Sequence, residues 1–159
     1  MNIEQLPKID LHCHLDGSLT KTMIERHLGR TVPEEMLTVS EDCRSLTEYL
    51  EKFDLPVQCL QDAEGLEEGA YTFVKEISRE NMKYIEVRFA PMLSVHENLS
   101  CDEVIGAVRK GMGKRGFQCT VRHHCLCNEK SQYGAKYGDA CLCKNVSWKR
   151  CVCSGSGRG

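Results

Sequence analysis

The sequence predicts an α/β fold in which parallel strands alternate with helices, and three observations carry this. Apolar runs at 9–15 and 83–91, short and ended by turn or breaker residues, read as strands, while the segments around them carry helical periodicity. The order is strand, helices, strand, helix, which is what parallel strands joined by crossover helices require. The third observation sets a border. Four of the eleven cysteines are scattered through residues 1–118 and seven crowd into 119–159, where neither period persists for more than a few residues. Residues 1–118 are therefore expected to form the α/β unit, and 119–159 a disordered cysteine-rich tail.

Composition narrows the class. The chain has 159 residues, 41% of them hydrophobic, and a net charge of -2, as a globular protein does. No apolar run approaches about 18 residues, so no membrane span is expected. The N-terminus lacks the basic-then-apolar pattern of a secretory signal, which points to the cytosol. Charge is mixed along the chain and leaves no basic footprint for nucleic acid.

Residues 1–8 are a polar lead in which Pro7 fixes the entry to the first strand. Along that strand His12 and His14 stand at i and i+2, so both rings share one face. Cys13 faces the other way, as a small buried residue. Asp16 and Gly17 then end the strand and let the backbone turn close to a bound group. Two imidazoles at a strand's C-terminal end make half of a zinc site. On spacing alone they are equally two histidines on a polar strand face.

Ser18 is placed to cap a helix over 19–28, with Met23, Ile24 and Leu28 as its apolar stripe and Gly29 as its stop. His27, near the end of that helix, suits the dipole and receives no catalytic role. A short second helix starts near Pro33. Ser45 and Glu48 have capping-box spacing and open a helix with Leu46, Tyr49, Leu50 and Phe53 on one face, a stripe that in isolation reads as core. Residues 63–80 form a longer amphipathic helix with Leu66, Ala70, Phe73, Val74 and Ile77 inward. On the second strand Glu86 and Arg88 share a face and are expected to form a buried charged network that supports the site. His96 is expected to be solvated. Asp102 is expected to cap a helix over 103–115, with Val104, Ile105, Val108 and Met112 inside.

LPKIDLHCHLDGS at 6–18 resembles the first strand of the adenosine deaminase family, within the metal-dependent amidohydrolases, and YIEVRFAP at 84–91 resembles that family's second strand. The resemblance covers roughly the first three quarters of the chain. It implies a partial (β/α)8 barrel, the first two strands and their helices, because a complete barrel takes about 250 residues. It also implies a reaction: hydrolytic deamination of adenosine to inosine and ammonia. In the family a Zn2+-bound water, its pKa drawn toward neutrality, attacks the purine carbon bearing the amino group. A glutamate carries the proton transfers.

Carried over residue by residue, the resemblance makes His12 and His14 zinc ligands and Asp16 the partner of a ribose hydroxyl. His14 lies close enough to touch substrate. Leu46, Tyr49, Leu50 and Phe53 become an apolar lid over a purine nucleoside. The family's third ligand histidine, its late aspartate, its catalytic glutamate and its orienting histidine have no counterparts here, so no catalytic residue is assigned. The chain made alone is expected to hold zinc weakly and to be inactive. Adenine deaminases usually carry HLEG where this chain has HLDG, and the shorter carboxylate leaves room for a sugar. An adenine or other purine aminohydrolase of the same family stays open as the alternative.

From residue 119 the family calls for an apolar strand, but the sequence gives Cys119-Thr120-Val121-Arg122-His123-His124-Cys125-Leu126-Cys127, and Cys-x-Cys recurs at 125/127, 141/143 and 151/153. One reading is a zinc or thiol-binding module, although structural zinc sites prefer about two to four residues between cysteines. The other is a shifted reading frame. Suitable codons for Arg122 to Lys130, read one base later, give GIIVCAMR, and those for Trp148 to Gly159 give GKGVCAADLAG. Between them, Ser131 to Cys143 can be read as HSMEQNMEMLAYA. Strand, helix and strand in one displaced frame favour the frameshift. Sequencing the coding DNA tests it: an intact upstream frame with no displaced homology downstream defeats it.

Overall fold

β1 (Lys8–His14), β2 (Met82–Phe89) and β3 (Thr120–Cys125) form a parallel sheet in the order β1-β2-β3. They belong to a computed structural model that describes residues 5–114 and 119–125. Five helices accompany them: α1 (Lys21–Leu28), α2 (Leu46–Glu51), α3 (Asp54–Gln58), α4 (Ala63–Arg79) and α5 (Cys101–Met112).

Period-2 alternation organises the centre. Ile85, Val87 and Phe89 of β2 point to one face and are buried, while Tyr84, Glu86 and Arg88 point to the other and are half-buried. α4 and α5 lie over the apolar face. Phe73 and Val74 from α4 join Val104 and Val108 from α5 in one core with the β2 side chains and Leu15. Met23, Ile24, Val32, Leu55 and Cys59 make a smaller cluster around α1 and α3. Asn81 makes the turn from α4 into β2 at φ 59°, a left-handed conformation that asparagine tolerates.

The α4–α5 contact depends on Gly111. A Cβ there would stand 2.2 Å from the Glu67 carbonyl oxygen and 2.8 Å from the Ala70 Cβ. Gly111→Ala is therefore expected to lower stability by about 2–3 kcal/mol, as overpacking does. A urea midpoint unchanged from wild type would show that the two helices can part without cost.

Several expectations shift in detail. Thr20, not Ser18, caps α1, its hydroxyl accepting from the Met23 N–H at 3.2 Å. Ser100, not Asp102, caps α5, and with Glu103 it closes a capping box. His96 is not simply solvated. Its Nε2 donates to the Gln61 carbonyl at 2.8 Å and its Nδ1 accepts from the Asn98 N–H at 3.3 Å, tying the loop after β2 to the segment before α4.

The expected disorder from 119 gives way at the first residues. Thr120–Cys125 pair with β2 from Tyr84↔Thr120 to Phe89↔Cys125. The free edge of β2 offers a complete row of hydrogen-bonding groups, and Cys119 and Val121 supply buried side chains on the helix side. Residues 126–159, with the rest of the expected tail and most of the segment read as out of frame, lie outside the described residues.

Candidate metal and nucleoside site

Three of the expected site residues come together at the C-terminal end of β1. Consecutive same-face residues on a regular strand stand nearly two residue rises apart. Here the register slips between Asp10 and Cys13, which pair with Ile85 and Val87, so three steps on β1 match two on β2. Such a bulge bends and twists a strand and re-aims its side chains. Asp10 sustains it, its carboxylate accepting from the His12 N–H at 2.8 Å. The His12 and His14 rings then stack with centroids 5.2 Å apart, and their Nε2 atoms converge to 3.2 Å. Two nitrogens bound to one tetrahedral zinc at about 2.0–2.1 Å lie about 3.3–3.4 Å apart. The pair fits a shared metal ion.

The proton positions follow from the partners. Arg88 reaches across from β2 and its Nη1 contacts His12 Nδ1. A guanidinium only donates, so Nδ1 accepts and the His12 proton sits on Nε2. That Nε2–H donates to His14 Nε2, which leaves the His14 proton on Nδ1, facing Asp16 Oδ1 at 3.8 Å. Arg88, His12 and His14 thus form one directed chain of donors, which stops short of Asp16. Arg88 and Glu86, expected in a buried charged network, are both half-buried; Glu86 accepts from the Tyr84 hydroxyl at 2.6 Å.

Asp16 stands beyond the end of the chain. Its Oδ1 is buried and has no hydrogen-bond partner among the described residues. Burial pushes its carboxyl above the usual carboxylate range, opposed by nearby His14 and by the backbone N–H groups of Asp16 and Gly17. A buried carboxylate oxygen left this way is costly unless something donates to it.

The expected lid is present as a helix but is not core. Ser45 caps α2 through the Glu48 N–H at 3.1 Å. Leu46 is 72% exposed, and Tyr49 and Leu50 are exposed beside it. Phe53 alone reaches the site: a Cβ on Gly17 would lie 2.9 Å from its ring, and Tyr49 packs on it at 5.7 Å between centroids. The apolar stripe therefore stands over the turn that carries Asp16 with nothing between its outer residues and solvent.

Among the described residues no group of three or more His, Cys, Asp or Glu side chains could hold a metal ion. None of the described helices is long and apolar enough to cross a membrane. Sequence reasoning singled out His12, His14 and Asp16, which stand side by side. It missed the bulge and the Arg88 contact, and Asp10, two residues before His12, was the available signal for the first.

The family model for adenosine deaminase matches residues 7–139. The chain belongs to the adenosine deaminase family. The match runs past the border expected at 118. Adenosine deaminases of Clostridium perfringens and Vibrio atlanticus are each 45% identical to this family member, over 124 and 121 residues. These matches cover 72% and 70% of the chain but 37% and 36% of the relatives, so it spans little more than a third of their length. An apo N6-methyl-AMP deaminase from Arabidopsis thaliana superposes with a TM-score of 0.61 at 26% identity, covering 81% of this chain and 42% of that one. A Burkholderia ambifaria amidohydrolase with bound Zn, 18% identical with a TM-score of 0.61, shares the fold.

Proposed function

We propose that this chain is the N-terminal portion of a cytosolic, zinc-dependent adenosine deaminase, which hydrolyses adenosine to inosine and ammonia. The observation that carries the reading is the buried Oδ1 of Asp16, without a partner among the described residues, beside two imidazole nitrogens 3.2 Å apart. His12 and His14 would hold zinc through Nε2. When bound, zinc supplies an activated water to the purine carbon bearing the amino group. Asp16 accepts a hydrogen bond from a ribose hydroxyl, which satisfies its orphan oxygen. His14, between metal and carboxylate, lies against the substrate. Leu46, Tyr49, Leu50 and Phe53 close over the base and shed their exposed apolar surface.

The remaining ligands and the proton-transferring glutamate lie outside this chain, and residues 119–159 are read as out of frame. The chain by itself is expected to deaminate adenosine no faster than its His12→Ala variant. The substrate class is tested in the protein extended to the family's full length through the displaced frame. Asp16→Ala there should lower kcat/KM for adenosine about 10- to 150-fold, the worth of a charged hydrogen bond of about 1.5–3 kcal/mol. Activity on free adenine, with no sugar to hold, should be spared. Equal losses on both substrates would favour the adenine deaminase reading instead.

A further inference from the structure

We propose that Arg88 is a displaceable clamp on His12: it holds the ring in the tautomer whose Nε2, the nitrogen paired with His14, has no lone pair for a metal, and a cation arriving at the paired nitrogens must drive it off. The inference rests on reading His12 and His14 as zinc ligands. A guanidinium carries five N–H donors and no acceptor. Its contact with His12 Nδ1, 2.5 Å from Nη1, leaves that nitrogen its lone pair and puts the ring proton on Nε2, the atom aimed at His14. A metal takes an imidazole nitrogen through its lone pair, and a protonated Nε2 has none to give.

His14 is set the opposite way. Its Nε2 accepts, which leaves its proton on Nδ1, the atom 3.8 Å from Asp16 Oδ1. One ring of the pair is ready and the other is locked. Unlocking moves no net proton: His12 gives up the proton on Nε2 to solvent and takes one on Nδ1. That Nδ1–H and the Arg88 N–H then face each other as two donors, so the guanidinium has to leave. Its charge adds to the conflict, because a second cation a few ångströms from the metal position is repelled. Arg88 is thus a positioning residue. It keeps the metal-free pair ordered and raises the metal concentration needed to fill it.

The test reads the imidazole nitrogens of the whole chain labelled with nitrogen-15 at histidine, His12 signals being assigned by their loss in His12→Ala. At about pH 8, above the ordinary imidazole range, wild-type His12 is expected to show a bare Nδ1 and a protonated Nε2. Arg88→Gln places an amide oxygen where the donor stood, so His12 should switch to Nδ1–H. The free zinc needed to shift its Nε2, set by a chelating buffer so that the thiols of 119–159 do not deplete it, should fall about tenfold or more. A merely structural role for Arg88 predicts the reverse, weaker zinc uptake by a loosened site. Arg88→Lys keeps a donor and should keep both the wild-type tautomer and the wild-type zinc response.

A wild-type His12 already protonated at Nδ1 overturns the clamp with no variant needed, and so does an Arg88→Gln chain that takes up zinc no more readily than wild type. The underlying reading fails differently. If Arg88→Gln switches the tautomer but zinc moves neither ring at any concentration, the ligand assignment falls and the displacement falls with it.

Discussion

Replacing His12 or His14 with alanine in the protein extended to the family's full length is expected to lower adenosine deamination by at least about 10³-fold. The size follows from what the pair is asked to do. A bound metal lowers the pKa of its water from about 15.7 to about 7 and stabilises developing charge by several kcal/mol. Each 1.36 kcal/mol is about tenfold in rate. Losing one of two nitrogens that meet at 3.2 Å leaves the other as an isolated imidazole. Loss of zinc, measured by metal analysis, should accompany loss of rate. His27→Ala is the control, because that ring faces Asp62 at 3.7 Å and packs under α4 away from the site. A His12→Ala enzyme that keeps both its zinc and its rate would remove β1 from the chemistry.

Phe73→Ala should cost about 3–5 kcal/mol, the range for truncating a buried aromatic side chain. Phe73 is 2% exposed, on the face of α4 that meets the sheet and α5. A domain's whole stability is about 5–15 kcal/mol. This chain starts with a handicap, because Ile9 is 68% exposed and β1 pairs only with β2 among the described residues. The variant is expected to be unfolded at room temperature, with near-ultraviolet circular dichroism lost. A native-like spectrum and an unfolding free energy in urea within about 1 kcal/mol of wild type would mean that α4 is held by something other than its apolar face.

Much of this architecture is legible in short-range pattern. Period 2 in β2 and the inward set Leu66, Ala70, Phe73 and Val74 in α4 follow from burial, which acts residue by residue and leaves its mark in the sequence. The helix starts were less legible because neighbouring residues compete for the cap. Ser18 and Thr20 both offer a hydroxyl, and only the extended backbone at Thr20, φ -72° and ψ 144°, aims one at the Met23 N–H. At α5 the Ser100-x-x-Glu103 spacing was in plain view and outranks the acidic Asp102.

The site divides in the same way. His12, His14 and Asp16 sit within five residues of one another, and alternation alone puts the rings on one face. Arg88 lies far along the chain, and its partner is decided by register. A strand paired one residue differently would have offered that guanidinium elsewhere. β3 was not legible because its run is crowded with polar residues; Val121, and Cys119 just before the strand, are buried, and a ready edge on β2 does the rest.

The free margin of β1 bears on how such a protein is made. A parallel strand cannot be answered by a neighbour folded back through a tight turn; its mate must arrive by way of a crossover. Pairing across a large sequence separation slows folding, since loop-closure entropy is spent before any contact rewards it. Ile9 and Leu11 would therefore meet the ribosome exit and its attendant chaperones bare. In a family member of full length, the strand that carries His12 and His14 would be among the last to be sealed.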